Sequence, residues 1–351
     1  MSSEQTGPKR KKANPDMHVL RAKSRYSQLI ADTYRRIPPV LDDMAQIVGV
    51  SVPVIEVNDQ RRLGKILTEG GACIVKKEGY DAELLAVGAT PAHATAALTV
   101  LEKTCKVFWE AEQLGGARPL NPVEAWLMHQ IYQRKYSQME SMATHQSAED
   151  FDREIGDEEM LIRQEIVDAG KEMLEKNLVQ GTWGNISVQL DDQYMLVTPS
   201  GLEYDRLTPY DIVRVDMHTM EHEGNLTPTS EKIIHAELLK SKDDVSCIIH
   251  SHPVNSSSFA AAHQPVRADD EASHAVLGGD VEVAKYGLPG SKKLAQNVIA
   301  AINENRACIM ENHGMLVCGV LLEDTLEKCQ TLERLAQQNI ENLPIQDGTA
   351  R

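Results

Sequence analysis

Aromatic residues are scarce in this 351-residue chain, at 4% of the total. That is too few for the stacking platforms that hold single-stranded nucleic acid. Positive charge is also in deficit: 36 Lys and Arg stand against 52 Asp and Glu, a net charge of −16. Such a chain repels phosphate backbones, so nucleic acid is not an expected partner. No apolar run approaches the roughly 18 residues of a membrane span, and no apolar signal stretch stands near the N-terminus. The expected setting is the cytoplasm, with no membrane partner. The six cysteines (Cys73, Cys105, Cys247, Cys308, Cys318 and Cys329) include no CxxC pair and sit mostly in apolar runs such as "ACIV" and "ACIM". They read as reduced, buried hydrophobes, which disfavours structural zinc fingers and disulfide frameworks.

What is present is ordinary globular composition, 42% hydrophobic and 25% charged, with length for about two domains. Residues 1–26, with their "KRKK" run, read as a disordered basic tail. Beyond it lies an internal repeat. "GGACIVKKEGY" from Gly70 resembles "NRACIMENHGM" from Asn305, setting Cys73 against Cys308 and Glu78 against His313. Upstream, "PVLDDMAQIVGVSVPVIE" from Pro39 resembles "PVRADDEASHAVLGGDVEVAK" from Pro265, and helix-like stretches follow both copies. The repeat divides the chain into a truncated half-module at 27–150, a complete module at 151–345 and a short tail at 346–351.

In the complete module, Ile162, Ile166, Ala169 and Met173 recur at helical spacing, with Gly181 as the expected C-cap. Strands "NISVQL", "YMLVT" and "DIVRVD" follow. The Ser and Thr residues of "LTPTSEKIIHAELLKS" are N-cap candidates for the next helix. A strand "VSCIIHSH", a helix "NSSSFAAAH", a further strand pair, a helix "SKKLAQNVIAAINEN", the strand "ACIM" and a last helix complete it. The alternation predicts a layered α/β fold.

The chemistry gathers in the same module. His250 and His252 form an HxH on a strand, and residues at i and i+2 leave one face. Glu231 starts the preceding helix, and His313 follows a later apolar strand in "MENHG". Three imidazoles and one carboxylate suit Zn²⁺ or a similar divalent ion, with room for a substrate oxygen. The turns "GTWGNIS", "TPSG" and "PTSE" carry free amides and hydroxyls of the kind that cradle a phosphate.

The stretches "QGTWGNISV", "LVTPSGLEYD", "VRVD", "PTSEKIIHAEL", "IIHSHP" and "ENHGMLVCG" resemble the class II aldolase/adducin family over about 160–342. The resemblance implies a three-layer α/β/α sandwich around a mostly antiparallel sheet, and a homotetramer with sites between subunits. It implies one zinc or other divalent ion per chain, held by Glu231, His250, His252 and His313. Glu231 would leave the metal for substrate and become the acid/base. Thr182, Asn185, Ser200, Gly201, Thr229 and Ser230 would hold the phosphate of a small phosphorylated sugar. The implied reaction is aldol cleavage or condensation of a ketose phosphate through a metal-stabilised enediolate, with Glu231 shuttling the proton if its surroundings raise its pKa. The alternatives are a dehydratase, decarboxylase or epimerase on the same fold, or a non-catalytic adducin-like scaffold. The family's epimerases carry Asp where this chain has Glu231, which favours the aldolase reading.

Two departures stand out. The family's aldolases place a Tyr from a neighbouring subunit shortly before the "GG" that is Gly278–Gly279 here. This chain reads "RADDEASHAVLGG", so Asp269, Asp270 or His274 are the candidates to serve instead. The family's aromatic tail also has no counterpart after residue 342. A tail-like segment follows the first copy, where Tyr132 or Tyr136 could reach a site.

Overall fold

The computed structural model describes residues 17–133 and 144–343. The tail at 346–351 and Tyr136 lie outside the described residues, as do positions 1–16 of the expected basic tail.

The first region opens with strand β1 (His18–Ala22) and helix α1 (Arg25–Thr33), capped by Ser24, which accepts from the Ser27 amide. A two-residue strand β2 (Arg36–Ile37) and a π-helical turn at Met44–Val48 lead to β3 (Val52–Glu56). Helix α2 (Gln60–Glu69) and the hairpin β4 (Gly71–Lys77) and β5 (Tyr80–Gly88) come next. Helix α3 (Pro91–Gln113) has Thr90 as N-cap and Pro at its first turn, where a missing amide costs nothing; α4 (Pro122–Ile131) starts the same way behind Asn121. The five strands lie in the order β1-β5-β4-β3-β2.

The second region holds α5 (Asp157–Glu175), β6 (Gly184–Gln189), β7 (Tyr194–Val197), β8 (Val213–Asp216), α6 (Lys232–Ser241) and β9 (Cys247–Ser251). It continues with α7 (Val254–Ala262), α8 (Glu271–Leu277), β10 (Val283–Ala284), α9 (Lys292–Ile302), β11 (Ala307–Met310), β12 (Met315–Gly319) and α10 (Leu322–Glu341). Its seven strands run β10-β11-β12-β9-β6-β7-β8. Only the β10–β11 pair is parallel. Alternate side chains feed opposite faces, as the pleat requires. Ile249, Ile309 and Val317 pack with α5, α7 and α10; Ile248, Cys308 and Leu316 pack with α6 and α9. The sheet is therefore the middle of three layers.

The units β3–α2–β4–β5–α3 and β10–α9–β11–β12–α10 share element order and pairing sense, a parallel pair followed by an antiparallel one. The two regions also share a boundary. Helix α7 is built of small residues, and its Ala261 and Ala262 lie in the core formed by α1, α3 and the first sheet. Hydrogen bonds close the seam: Arg118 N donates to Ala261 O at 2.8 Å, and Ser258 Oγ donates to Glu110 Oε2 at 2.8 Å.

Several expectations need correction. The basic tail does not reach residue 26, because β1 pairs with β5 from His18 onward. Helix α5 ends at Glu175 and Asn177 takes the left-handed turn, so Gly181 belongs to a later turn and is not the C-cap. The expected strand pair after α7 is instead the short helix α8, capped by Asp270 through the Ser273 amide and ended by left-handed Gly278. Only an isolated Val266–Val281 bridge and two residues of β10 remain extended there.

Candidate active site

The HxH lies at the end of β9, a strand in the middle of the second sheet. The neighbouring β12 is reached through the turn Glu311–Gly314, which carries His313. Gly314 permits this close approach: a Cβ there would meet Ser251 O at 2.5 Å and the His252 ring at 2.9 Å. The three imidazoles converge, with ring centroids 4.6 to 4.9 Å apart. One ligand atom from each lies within 4.8 Å of the others. His250 and His252 face each other Nε2 to Nε2 at 2.8 Å, while His250 Nδ1 bonds the Met315 carbonyl at 2.8 Å. That bond makes Nδ1 the protonated nitrogen and leaves the Nε2 lone pair for the centre.

Glu231 occupies the N-cap position of α6 without capping it. This corrects the assignment of the cap to the preceding Ser and Thr. The carboxylate turns inward, with Oε2 at 2.9 Å from His250 Nε2 and Oε1 at 3.4 Å from His313 Nε2. Asn185 Nδ2 donates to Oε2 at 3.0 Å. His235, buried one turn into α6, contacts Asn185 Oδ1 through Nε2 and Ser187 Oγ through Nδ1. The order His235–Asn185–Glu231 fixes the carboxylate from behind.

Burial raises Glu231, but the charges of His250 and His313, with hydrogen bonds from His250 and Asn185, outweigh it and hold the carboxyl well below the usual range. The condition that its surroundings raise its pKa is therefore not met in this arrangement, and Glu231 is a resting carboxylate. At His250 burial acts downward, and the Glu231 charge more than offsets it, so the imidazole is raised. Burial brings His252 down to about 4 and His313 and His235 down to about 3.

The first region adds three buried ionisable groups, Asp42, Asp43 and Lys103. Asp43 Oδ2 takes Lys103 Nζ at 2.6 Å, and the same ammonium donates to the His252 carbonyl at 2.9 Å. Burial opposes ionisation of Asp43, yet Lys103 holds it below the usual range. Burial, followed by the charges of Asp43 and Glu231, pushes Asp42 well up. Three buried carboxyl groups thus surround the triad with one ammonium among them, and Glu231 Oε1 has no hydrogen-bond partner among the described residues. A divalent cation between the imidazoles satisfies both conditions, and the donor set of nitrogens with a carboxylate suits zinc.

A cavity of about 300 Å³ opens at this cluster. Thr182, Asn185, Ser200, Gly201, Thr229 and Ser230 all line it, with Glu231, His252 and His313. Some of their polar atoms are engaged: Ser200 Oγ donates to Pro228 O at 3.1 Å, and Thr229 Oγ1 accepts the Glu231 amide at 3.3 Å. Asp269, Asp270 and His274 do not line the cavity, and Asp270 is occupied in capping α8. The other region contributes Asp43, Gln46, Met128 and Tyr132 to the lining. Asp42, Asp43, Gln46 and Lys103 were missed by sequence reasoning, because nothing local ties them to the second module.

The family model described as "Class II Aldolase and Adducin N-terminal domain" matches residues 164–340. The L-fuculose phosphate aldolase of Escherichia coli O157:H7 is 33% identical over 186 residues, 53% of this chain and 86% of that protein. The 5-methylthioribulose-1-phosphate/5-deoxyribulose-1-phosphate aldolase of Rhodospirillum rubrum is 32% identical over 177 residues, 50% of this chain and 79% of that protein. Among solved structures, an L-fuculose 1-phosphate aldolase has 32% identity and a TM-score of 0.49, covering 53% of this chain and 90% of that one. Among the described residues no helix is long and apolar enough to cross a membrane.

Proposed function

The chain belongs to the class II aldolase and adducin family, and from that premise we propose that it is a zinc-dependent lyase cleaving a ketose 1-phosphate, or forming it in reverse. The observation that carries this reading is one cavity lined by His252, His313 and Glu231 together with three hydroxyl- and amide-rich turns. Similar proteins named for fuculose phosphate and for deoxy- and methylthioribulose phosphates mark the substrate class.

In this reading His250, His252 and His313, with Glu231, would hold one divalent ion per chain. When bound, the ion supplies Lewis-acid stabilisation of the negative charge that develops on the substrate oxygens. The turns at Thr182–Asn185, Ser200–Gly201 and Thr229–Ser230 bind the phosphate and orient the sugar. Glu231, a carboxylate at rest, takes and returns the proton at the substrate carbon next to the breaking bond. Asn185 and His235 keep it aimed. Met128 and Trp183 add apolar surface to the cavity lining.

The test is product analysis on fuculose 1-phosphate, 5-deoxyribulose 1-phosphate and 5-methylthioribulose 1-phosphate. Dihydroxyacetone phosphate and the matching aldehyde are expected from at least one. Glu231→Gln should lower kcat by about 10² to 10⁴ while KM changes little. Conversion of these sugars to dehydrated or epimerised products without cleavage would overturn the reading.

A further inference from the structure

His250 has its outer ring nitrogen bonded to a carbonyl of its own module, whereas His313 does not. His313 Nδ1 has no hydrogen bond of ordinary geometry among the described residues; it faces Asp42 Oδ2 at 3.4 Å. Asp42 is 0% exposed, and neither of its oxygens makes a hydrogen bond of ordinary geometry among the described residues. A buried carboxyl with so few partners is costly unless it serves an arrangement that gives it one. The approach of the two is built, not incidental. Asp42 N donates to Asn312 O at 2.7 Å, while Asn312 Nδ2 donates to Val40 O at 2.9 Å and to Arg118 O at 2.6 Å. The loop that carries Asp42 is thereby fastened to the turn that carries His313, across 272 positions of sequence. The Tyr286 hydroxyl also stands beside Asp42, and the Asp43, Glu231 and Glu124 carboxyls act on it as well.

We propose that Asp42 is a positioning residue for the metal centre: it accepts the Nδ1–H of His313 and so turns the Nε2 lone pair of that ring toward the ion. The inference rests on the reading that the triad holds a metal. Its consequence is that the first region is part of the metal site. A carboxylate behind a ligating imidazole fixes the tautomer and strengthens the donor, and loss of such a partner lowers metal affinity about 10- to 100-fold.

The experiment compares the full-length parent with Asp42→Asn. Zinc affinity is measured by competition with a chromophoric chelator, and the Co²⁺-loaded proteins are compared by visible absorption. Asp42→Asn is expected to bind zinc about 10- to 100-fold more weakly, with shifted Co²⁺ bands. Its metal-free stability to urea should stay close to the parent's, because burial already holds the Asp42 carboxyl toward its neutral form and the amide has the same size; a purely structural role would move stability and leave affinity alone. Tyr286→Phe should leave zinc affinity unchanged. Zinc affinity within twofold of the parent with unaltered Co²⁺ bands overturns the positioning role and leaves the triad reading intact. A parent that binds neither metal overturns both. Should Asp42→Asn fail to fold, the zinc-loaded parent decides by crystallography: His313 Nδ1 bonded to Asp42 supports the proposal, and Nδ1 bonded elsewhere or to the ion overturns it.

Discussion

Strands β9 and β1 hold corresponding places in the two regions, and only one of them carries chemistry. Each pairs antiparallel with the second strand of a hairpin, and each is followed within three residues by a helix. His250 lies opposite Leu316, which lies opposite Cys308; Arg21 lies opposite Leu85, which lies opposite Cys73. The register therefore places Arg21 where His250 stands and Lys23 where His252 stands. In β9 the two side chains are enclosed, because β6 and β12 flank the strand and α6 brings Glu231 over it. Among the described residues strand β1 is an edge of its sheet. Its cations instead form exposed pairs, Arg21 with Glu83 at 3.0 Å and Lys23 with Asp81 at 3.6 Å. The same backbone makes a metal centre or a solvated edge according to whether the sheet continues past it.

The sharpest test of that contrast acts on β9. His250→Ala combined with His252→Ala should take bound zinc from about one per chain to near zero by elemental analysis, since three-nitrogen chelation falls to one. The circular dichroism of the fold should persist, because the sheet is held by the apolar residues on either side of the pair. Full zinc content in that double variant would break the comparison by placing the metal elsewhere.

The site was legible where its parts are local. An HxH on a strand, a Glu at a helix start and an NHG turn are each read within a few residues, and their neighbours Thr182, Ser200 and Thr229 come from short polar turns, although the expected free amides of Ser200 and Thr229 are engaged with Thr227 O and Thr198 O. The layered fold was legible for the same reason, from the alternation of apolar runs. What escaped was long-range. Nothing near Asp42 or Lys103 marks them as partners of residues more than a hundred positions away; the α3–α7 packing brings Lys103 to His252, and hydrogen bonds to Asn312 bring Asp42 to His313. Helix α8 was misread because its seven residues offer too little periodicity, although Asp270 and Gly278 bound it with sound cap signals. Glu231 sits at a cap position because the triad, not the helix amides, claims its carboxylate.

A second test uses acid. The complete module buries His235 with both ring nitrogens engaged, and burial holds it down to about 3 from 6.5. The unfolded chain then binds the extra proton below about pH 6.5, so this contribution to stability is full above 6.5 and is lost as pH falls toward 3. Each such group adds up to about 1.4 kcal/mol of destabilisation per pH unit in that window. Among the described residues the first region offers no counterpart, since His18 is exposed and His93 and His129 are half-buried. Amide exchange should therefore show α6 and β6 loosening before β4 and β5 between pH 6 and 5. In the metal-free protein, His235→Gln should reduce the pH slope of urea stability by about one proton. An unchanged slope would mean that the ring is not the neutral, buried group its contacts describe.

The smallest effect is expected at β1 itself. Arg21 and Lys23 are each more than half exposed, and so is Asp81. Ion pairs of this kind are screened by water and salt and lose in side-chain entropy what they gain in attraction, leaving about 0.2–1 kcal/mol each at most. The strand does not depend on them, because its ladder to β5 runs unbroken from His18 to Ala22. Arg21→Ala combined with Lys23→Ala should therefore shift the urea stability by less than about 1 kcal/mol and leave zinc content and turnover as in the parent. The same change at the corresponding positions of β9 removes the metal altogether, so the two double variants form a matched pair that differs in burial. Loss of zinc or of turnover from the β1 variant would show that this edge communicates with the centre, and the contrast between an enclosed strand and a solvated one would no longer account for the difference.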